Sequence, residues 1–214
     1  MHYKDTFLSF CDQLEIDSNR QRIGLDFLAK QTSHYEPLAK HSINTGILSS
    51  IFAEYACLSP KIAFISGLWH DIGKLESPVS ILRKTEEFTP EDMEIIKEHV
   101  WKGYEILNAL GFEFEAWIAL THHTHQKNKY PLNLPPIPRK FSKGAHMDLE
   151  LYCPIISIAD QLDALKRKNL RSTKTKSKSA RDLLIENMPS LSEPIKRYCS
   201  PEIIEFHESL VNSA

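Results

Sequence analysis

Apolar residues recur along this chain at the spacing of helices, and strict strand alternation is hard to find. Ile95, Ile96, Val100, Tyr104 and Leu107 mark one face of a helix predicted over Thr89 to Leu107, ending near Gly111 as its C-terminal cap. Apolar runs from Ile62 to Trp69 and from Trp117 to Leu120 predict two more helices, and His41 shares a helical face with Leu48, Phe52 and Tyr55. Ser59-Pro60, Thr89-Pro90-Glu91-Asp92 and Ser200-Pro201-Glu202 each place a capping hydroxyl before a proline at the first helical position, with acid following in the last two. An all-α fold is expected. Residues 1–33, apolar at Phe7, Leu8, Phe10, Leu14, Ile23, Leu25, Phe27 and Leu28, are expected as an amphipathic helical cap or partner segment. A central domain over 34–187 and a helical extension over 188–214 follow. The pattern lapses twice. Gln126 to Glu150, with Pro131, Pro135, Pro136 and Pro138, reads as an ordered irregular loop, and the lysine-rich stretch Lys166 to Arg181 as a mobile, solvated one.

Composition narrows the function classes. A chain of 214 residues with 42% hydrophobic and 25% charged content can bury a real core. Its formal net charge of -2 offers no global attraction to DNA or to an anionic membrane, so any phosphate must be recognised locally. The 7 glycines form neither G-x-G-x-x-G nor G-x-x-x-x-G-K-[ST], which argues against dinucleotide-binding and P-loop folds. Cys11, Cys57, Cys153 and Cys199 lie far apart, which suggests neither a disulfide framework nor a zinc knuckle and fits a reducing compartment. The N-terminus lacks the pattern of a signal peptide, and no run approaches the roughly 20 apolar residues of a membrane span. A soluble, cytoplasmic protein is expected.

The chemistry lies in histidines and aspartates placed where solvated side chains do not belong. His70-Asp71 closes an apolar helix, with Lys74 four residues after His70. His122-His123 closes another, His41 and His99 lie on or near apolar stripes, and Asp160 and Asp163 follow the apolar run Ile155 to Ala159. Each alone is compatible with a hydrogen-bonded core residue. Five imidazoles and these carboxylates turned inward together favour a metal site. Mixed imidazole and carboxylate ligands suit Mn, Fe or Zn better than Mg or Ca. Two such ions could hold a phosphoryl group, activate water and stabilise a leaving oxygen, which points to phosphoester hydrolysis.

The order His41, His70-Asp71, His99, His122-His123, Asp160 resembles the HD superfamily, and within it the HD-GYP branch, over roughly residues 35 to 185. The match extends from His70-Asp71-Ile72-Gly73-Lys74 through Pro78, Ile81-Leu82, Lys84, His99 and Gly103 to Ile106-Leu107, and again over Ser157 to Leu165, similar to the family's VAD-x-x-DAL. The resemblance implies an HD-domain helical bundle with a dinuclear metal site in its core. His41, His70, Asp71 and Asp160 would serve one ion and Asp71, His99, His122 and His123 the other, with Asp71 bridging and Asp163 orienting. The cofactors implied are two divalent transition-metal ions, Mn or Fe favoured and Zn admitted. Some members add a glutamate one turn before the first histidine for a third ion; Pro37 stands there, with Glu36 one residue off, which implies two ions. Asp71 and Lys74 would be catalytic, and Lys74, Tyr130 and Arg171 would meet substrate.

The resemblance implies a metal-dependent phosphohydrolase cleaving a phosphodiester, with cyclic di-GMP as first candidate. The alternatives are a nucleotide or phosphomonoester hydrolase, and a non-catalytic nucleotide-binding or adaptor module. Where the branch has HHE and then GYP, this chain has His122-His123-Thr124 and Lys129-Tyr130-Pro131, so the region that shapes the cyclic di-GMP pocket is altered. The expected partner is a small phosphorylated molecule, a cyclic dinucleotide or nucleotide, with no DNA and no membrane; a homodimer is compatible with this reading.

Overall fold

The structure is a computed structural model that describes residues 3–138, 141–169 and 178–212, with backbone only for 166–169 and 210–212. Every regular element among them is helical. The helices are α1 Tyr3–Gln13, α2 Ser18–Tyr55, α3 Pro60–Trp69, α4 Val79–Leu82, α5 Pro90–Lys97, α6 His99–Ala109, α7 Glu113–Thr121, α8 Lys143–Asn169, α9 Ala180–Asn187, α10 Ser192–Tyr198 and α11 Pro201–Asn212. A 3-10 turn, Ile72–Glu76, follows α3, and another, Pro189–Leu191, precedes α10. No described helix is long and apolar enough to cross a membrane.

The proline-marked starts fall where the sequence puts them. Ser59 accepts from the Ile62 amide ahead of α3, and Thr89 and Asp92 form a reciprocal capping box ahead of α5. Ser200 caps α11 through the amide of Ile203 at 3.4 Å. Three expectations need correction. The single helix expected over Thr89 to Leu107 is two, α5 and α6, parted at Glu98. The irregular stretch expected over Gln126 to Glu150 ends at Lys143, where α8 begins. The stretch expected to be irregular from Lys166 is helical as far as Asn169 and again from Ala180, where Ser179 caps α9. α8 continues through Pro154 because Leu149, Tyr152, Cys153, Ile156 and Leu162 bury one continuous stripe.

Two apolar clusters hold the helices together. In one, α1, the turn after it and the first half of α2 supply Phe7, Cys11, Ile16, Ile23 and Phe27, which meet Phe64, Leu68, Trp69, Leu107 and Phe112. In the other, Leu48, Phe52 and Ala53 of α2 meet Ile118, Leu120, Ile155 and Ile158, closed by Leu184, Met188, Leu191, Ile195, Cys199 and Ile203 from the C-terminal helices. The N- and C-terminal segments thus carry core residues. α2 is interrupted at Tyr35, which leaves the helical region, just before Pro37. Beyond it, α2 and α3 approach closely at two glycines. A Cβ at Gly67 would lie 2.7 Å from Ser49 Oγ and 2.9 Å from the Thr45 carbonyl, and one at Gly46 would lie 3.0 Å from the Phe64 carbonyl. Only hydrogen at these positions lets the helices meet, and that approach sets the ring of His41 5.1 Å from that of His70.

Candidate metal centre

Five elements converge on one buried point. α2 contributes His41 from its interior, α3 ends on His70 with Asp71 following, α6 opens with His99, α7 ends on His122 with His123 following, and α8 contributes Asp160. All seven side chains are buried, the most exposed being His123 at 6%.

Helix ends explain the ring orientations. A helix leaves the carbonyls of its last turn without intrahelical partners. Here three of them take an imidazole: Nδ1 of His70 lies 2.6 Å from the Gly67 carbonyl, Nδ1 of His99 2.6 Å from Ile96, and Nδ1 of His122 2.8 Å from Ala119. A carbonyl only accepts, so each Nδ1 carries a proton, and in the neutral ring each Nε2 turns its lone pair to the interior. His41 obeys the same rule against a carboxylate, its Nδ1 lying 2.7 Å from Asp163 Oδ2. His123 differs, for its Nδ1 meets the side-chain amide of Gln126 at 2.5 Å.

These Nε2 atoms point at carboxylate oxygens. His41 Nε2 is 3.3 Å from Asp71 Oδ2 and 3.1 Å from Asp160 Oδ1, and His70 Nε2 is 3.4 and 3.7 Å from the same two atoms. On the other oxygen of Asp71, His99 Nε2 stands at 3.1 Å and His122 Nε2 at 3.7 Å. The Nε2 atoms of His70, His99, His122 and His123 and Oδ1 of Asp71 are buried without a hydrogen-bond partner. Lone pairs facing lone pairs in a dry interior require a cation between them. The ligand atoms form two groups, each within 4.8 Å: His41, His70, Asp71 and Asp160, and Asp71, His99, His122 and His123. Asp71 belongs to both and offers one oxygen to each, the arrangement of a bridging carboxylate. The donor set therefore fits two divalent ions of imidazole-tolerant character.

Electrostatics separates the two groups. Burial, reinforced by neighbouring imidazoles, holds His122 well below the usual histidine range and brings His123 down to about 3. Burial likewise lowers His99. His70 goes the other way: burial would lower it, but the carboxylates of Asp71 and Asp160 carry it up to about 10. Burial also opposes ionisation of Asp71, yet Lys74 and His70 hold it well below the carboxylate range. Without metal, a proton on His70 thus stands where a cation would bind.

Lys74 lies in the 3-10 turn and not on a continuation of α3, so its nearness to Asp71 comes from the turn and not from helical spacing. Its ammonium pairs with Asp71 Oδ2. Tyr130 stacks on His123 with ring centroids 4.4 Å apart and meets His99 edge-on at 6.1 Å. Burial, and then Asp71 and Asp160, push its phenol well above the usual tyrosine value. Glu36 is exposed and accepts from the hydroxyl of Tyr3, and it belongs to neither ligand group. Arg171, expected to meet substrate, lies outside the described residues. Two contributors escaped the sequence reading: Asn44, which donates to Asp163 at 2.9 Å, and His207, whose Nε2 lies 3.0 Å from the same oxygen.

The model of the HD domain family matches residues 38–165, which contain every member of the cluster. The chain belongs to the HD domain family. It stands near the HD-GYP branch, being 33% identical over 175 residues to a cyclic di-GMP phosphodiesterase of Thermotoga maritima, a match covering 78% of this chain and 42% of that one. It is 35% identical over 100 residues to the cyclic di-GMP phosphodiesterase response regulator RpfG of Xanthomonas campestris pv. campestris, over 45% of this chain and 24% of the relative. The match thus spans less than half the length of these curated relatives. Among solved structures, the HD domain of the L. monocytogenes phosphodiesterase PgpH superposes with a TM-score of 0.58 at 18% identity, covering 87% of this chain and 96% of that one. The same domain in complex with cyclic-di-AMP gives 0.56 at 17% identity, covering 87% and 95%. At that identity the likeness is one of fold.

Proposed function

We propose that this protein is a metal-dependent phosphodiesterase that opens a cyclic dinucleotide at a dinuclear centre, with cyclic di-GMP the first candidate substrate. The observation that carries the reading is the set of buried, unpartnered Nε2 atoms of His70, His99 and His122 facing the carboxylates of Asp71 and Asp160, with Asp71 shared between the two ligand groups. His41, His70, Asp71 and Asp160 would hold one ion and Asp71, His99, His122 and His123 the other. When bound, such ions supply Lewis acidity towards a phosphate ester and lower the pKa of water. The chain's own residues do the rest. The Nδ1–H bonds to Gly67, Ile96, Ala119 and Asp163 lock the rings so that their lone pairs converge before any ligand arrives. The apolar walls exclude bulk water and strengthen every charge interaction inside. Lys74, partly exposed beside Asp71, is placed to meet a phosphate oxygen, and Tyr130 supplies an aromatic face beside His123. The names of the curated relatives support a cyclic dinucleotide over a phosphomonoester.

The test is chromatography of products after protein reconstituted anaerobically with Mn or Fe meets a panel of cyclic di-GMP, cyclic di-AMP and mononucleotides, with Asp71→Ala alongside. Linear dinucleotide or mononucleotide formed only with Asp71 intact is the expected result. Turnover of mononucleotides alone would move the assignment to a nucleotide hydrolase, and tight ligand binding by metal-free protein without turnover would favour a binding module.

A further inference from the structure

The carboxylate of Asp163 is fully buried and takes donors from two helices, α2 and α11. His41 Nδ1 meets Oδ2 at 2.7 Å, while Asn44 Nδ2 at 2.9 Å and His207 Nε2 at 3.0 Å both meet Oδ1. Two of these lie close by on α2. The third comes from the far end of the chain, on α11, which packs against α2 and α8. His207 is itself fully buried, one helical turn after Ile203, whose side chain enters the core; Phe206 beside it is exposed. An imidazole costs more to bury than the leucine or isoleucine this face of α11 would otherwise carry, and its Nδ1 has no hydrogen-bond partner. What it gains for that cost is the bond to Asp163.

We propose that His207 is a positioning residue for the metal centre. Through Asp163 it fixes the ring and tautomer of His41, so that the group His41, His70, Asp71 and Asp160 holds its ion only when α11 is docked. The chain of contacts is short and directional. A carboxylate accepting at both oxygens cannot rotate, so its Oδ2 stays on His41 Nδ1–H; this keeps the proton off Nε2 and raises the basicity of that nitrogen towards a cation. Remove the His207 donor and Oδ1 keeps the bond from Asn44, which is on the same helix as His41 and cannot brace the carboxylate from the opposite side. Among the described residues no hydrogen bond or ion pair joins His99, His122 or His123 to His207 or Asp163, so the affinity of the second group should hold. The C-terminal helix thereby becomes a handle: whatever displaces α11 empties one half of the centre.

This inference rests on the proposed reading of the cluster as a dinuclear centre, and the experiment separates the two. Metal-free full-length protein is titrated with Co(II), followed by calorimetry and by the visible absorption of the bound ion, for the native chain, His207→Ala and His207→Gln. Thermal unfolding of each metal-free variant reports on the fold. Two binding events are expected in the native chain. His207→Ala should weaken one of them by about 10- to 100-fold, the usual consequence of losing an outer-shell partner, and leave the other unchanged. His207→Gln, whose side-chain amide can donate to Asp163, should recover most of the loss even if its unfolding temperature matches that of the alanine variant. Native affinity and spectrum at both sites in His207→Ala would overturn the inference. So would equal weakening of both events without rescue by glutamine, which is the mark of a merely structural histidine. A native chain that takes up no Co(II) would overturn the metal-centre reading itself.

Discussion

Substitution of Gly73 by alanine should damage the fold and the candidate site together. Gly73 follows His70-Asp71 in the 3-10 turn and is buried against the start of α6. A Cβ there would overlap the carbonyl oxygen of His99, and would lie 2.5 Å from the amide nitrogen of Gly103 and 2.9 Å from the His99 carbonyl carbon. All three are backbone atoms, so no rotamer change relieves the clash. Either the turn or the helix must retreat, and both carry candidate ligands: Asp71 lies two residues before Gly73, and His99 is the residue struck. Overpacking of this kind costs about 1–3 kcal/mol, more when backbone must move. Taking about 3 kcal/mol because backbone must move, at about 2–4 °C per kcal/mol for a chain of this size the midpoint of thermal unfolding should fall by about 6–12 °C. Because the displacement separates Asp71 Oδ1 from His99 Nε2, now 3.1 Å apart, metal uptake at the second group should fall with it. Differential scanning calorimetry of the metal-free variant and elemental analysis after reconstitution give the two numbers. A Gly73→Ala protein with native melting and two bound ions would refute the steric reasoning.

Other consequences follow from the same geometry. Phe64 is fully buried and stacks on Phe7 and Phe10, so Phe64→Ala should cost about 3–5 kcal/mol in urea unfolding; a loss under 1 kcal/mol would show that this cluster is not the core it resembles. Cys57 is exposed, whereas Cys11, Cys153 and Cys199 are buried with thiols pushed up, to about 12 for the first and last. One thiol per chain should therefore react with a thiol reagent at pH 8 in the native state and four after denaturation, and prompt reaction of two or more in native protein would contradict the burial. Below the ordinary histidine value of about 6.5, an unfolded chain takes up protons that folded His123 refuses until about pH 3 and that folded His122, held well below the usual range by burial and neighbouring imidazoles, refuses as well. His70, carried up to about 10, is protonated in both states over that window and does not offset this. Metal-free protein should thus lose stability steadily from pH 6.5 to pH 4 in urea titrations, and constant or rising stability would count against neutral, buried imidazoles.

Much of the site was legible because its residues break local rules. A His-Asp pair at the end of an apolar helix, and a His-His pair at the end of another, are polar choices at positions that periodicity assigns to the interior, and the structure buries all four. Helix starts were legible for a related reason: a hydroxyl before proline is a local code, and α3, α5 and α11 begin where it stands. What escaped depends on distance. His207 is separated from Asp163 by 44 residues, and nothing near it in sequence distinguishes it from a solvated histidine except its turn-spacing from Ile203. The break at Glu98 escaped because the apolar spacing runs unchanged through it; the chain bends there to point His99 Nδ1 at the Ile96 carbonyl. The early start of α8 escaped because Lys143 to Asp148 include a glycine and bury no side chain, and their helicity is inherited from the buried stripe that begins at Leu149.

The central claim is that the two clusters are one dinuclear centre joined by Asp71, and metal stoichiometry tests it most directly. Protein reconstituted anaerobically with Mn or Fe and freed of excess ion by gel filtration should carry two ions per chain by elemental analysis, and Asp71→Ala, equally folded by circular dichroism, should retain less than one. A native chain with no bound ion, or an Asp71→Ala chain that keeps both, would contradict it.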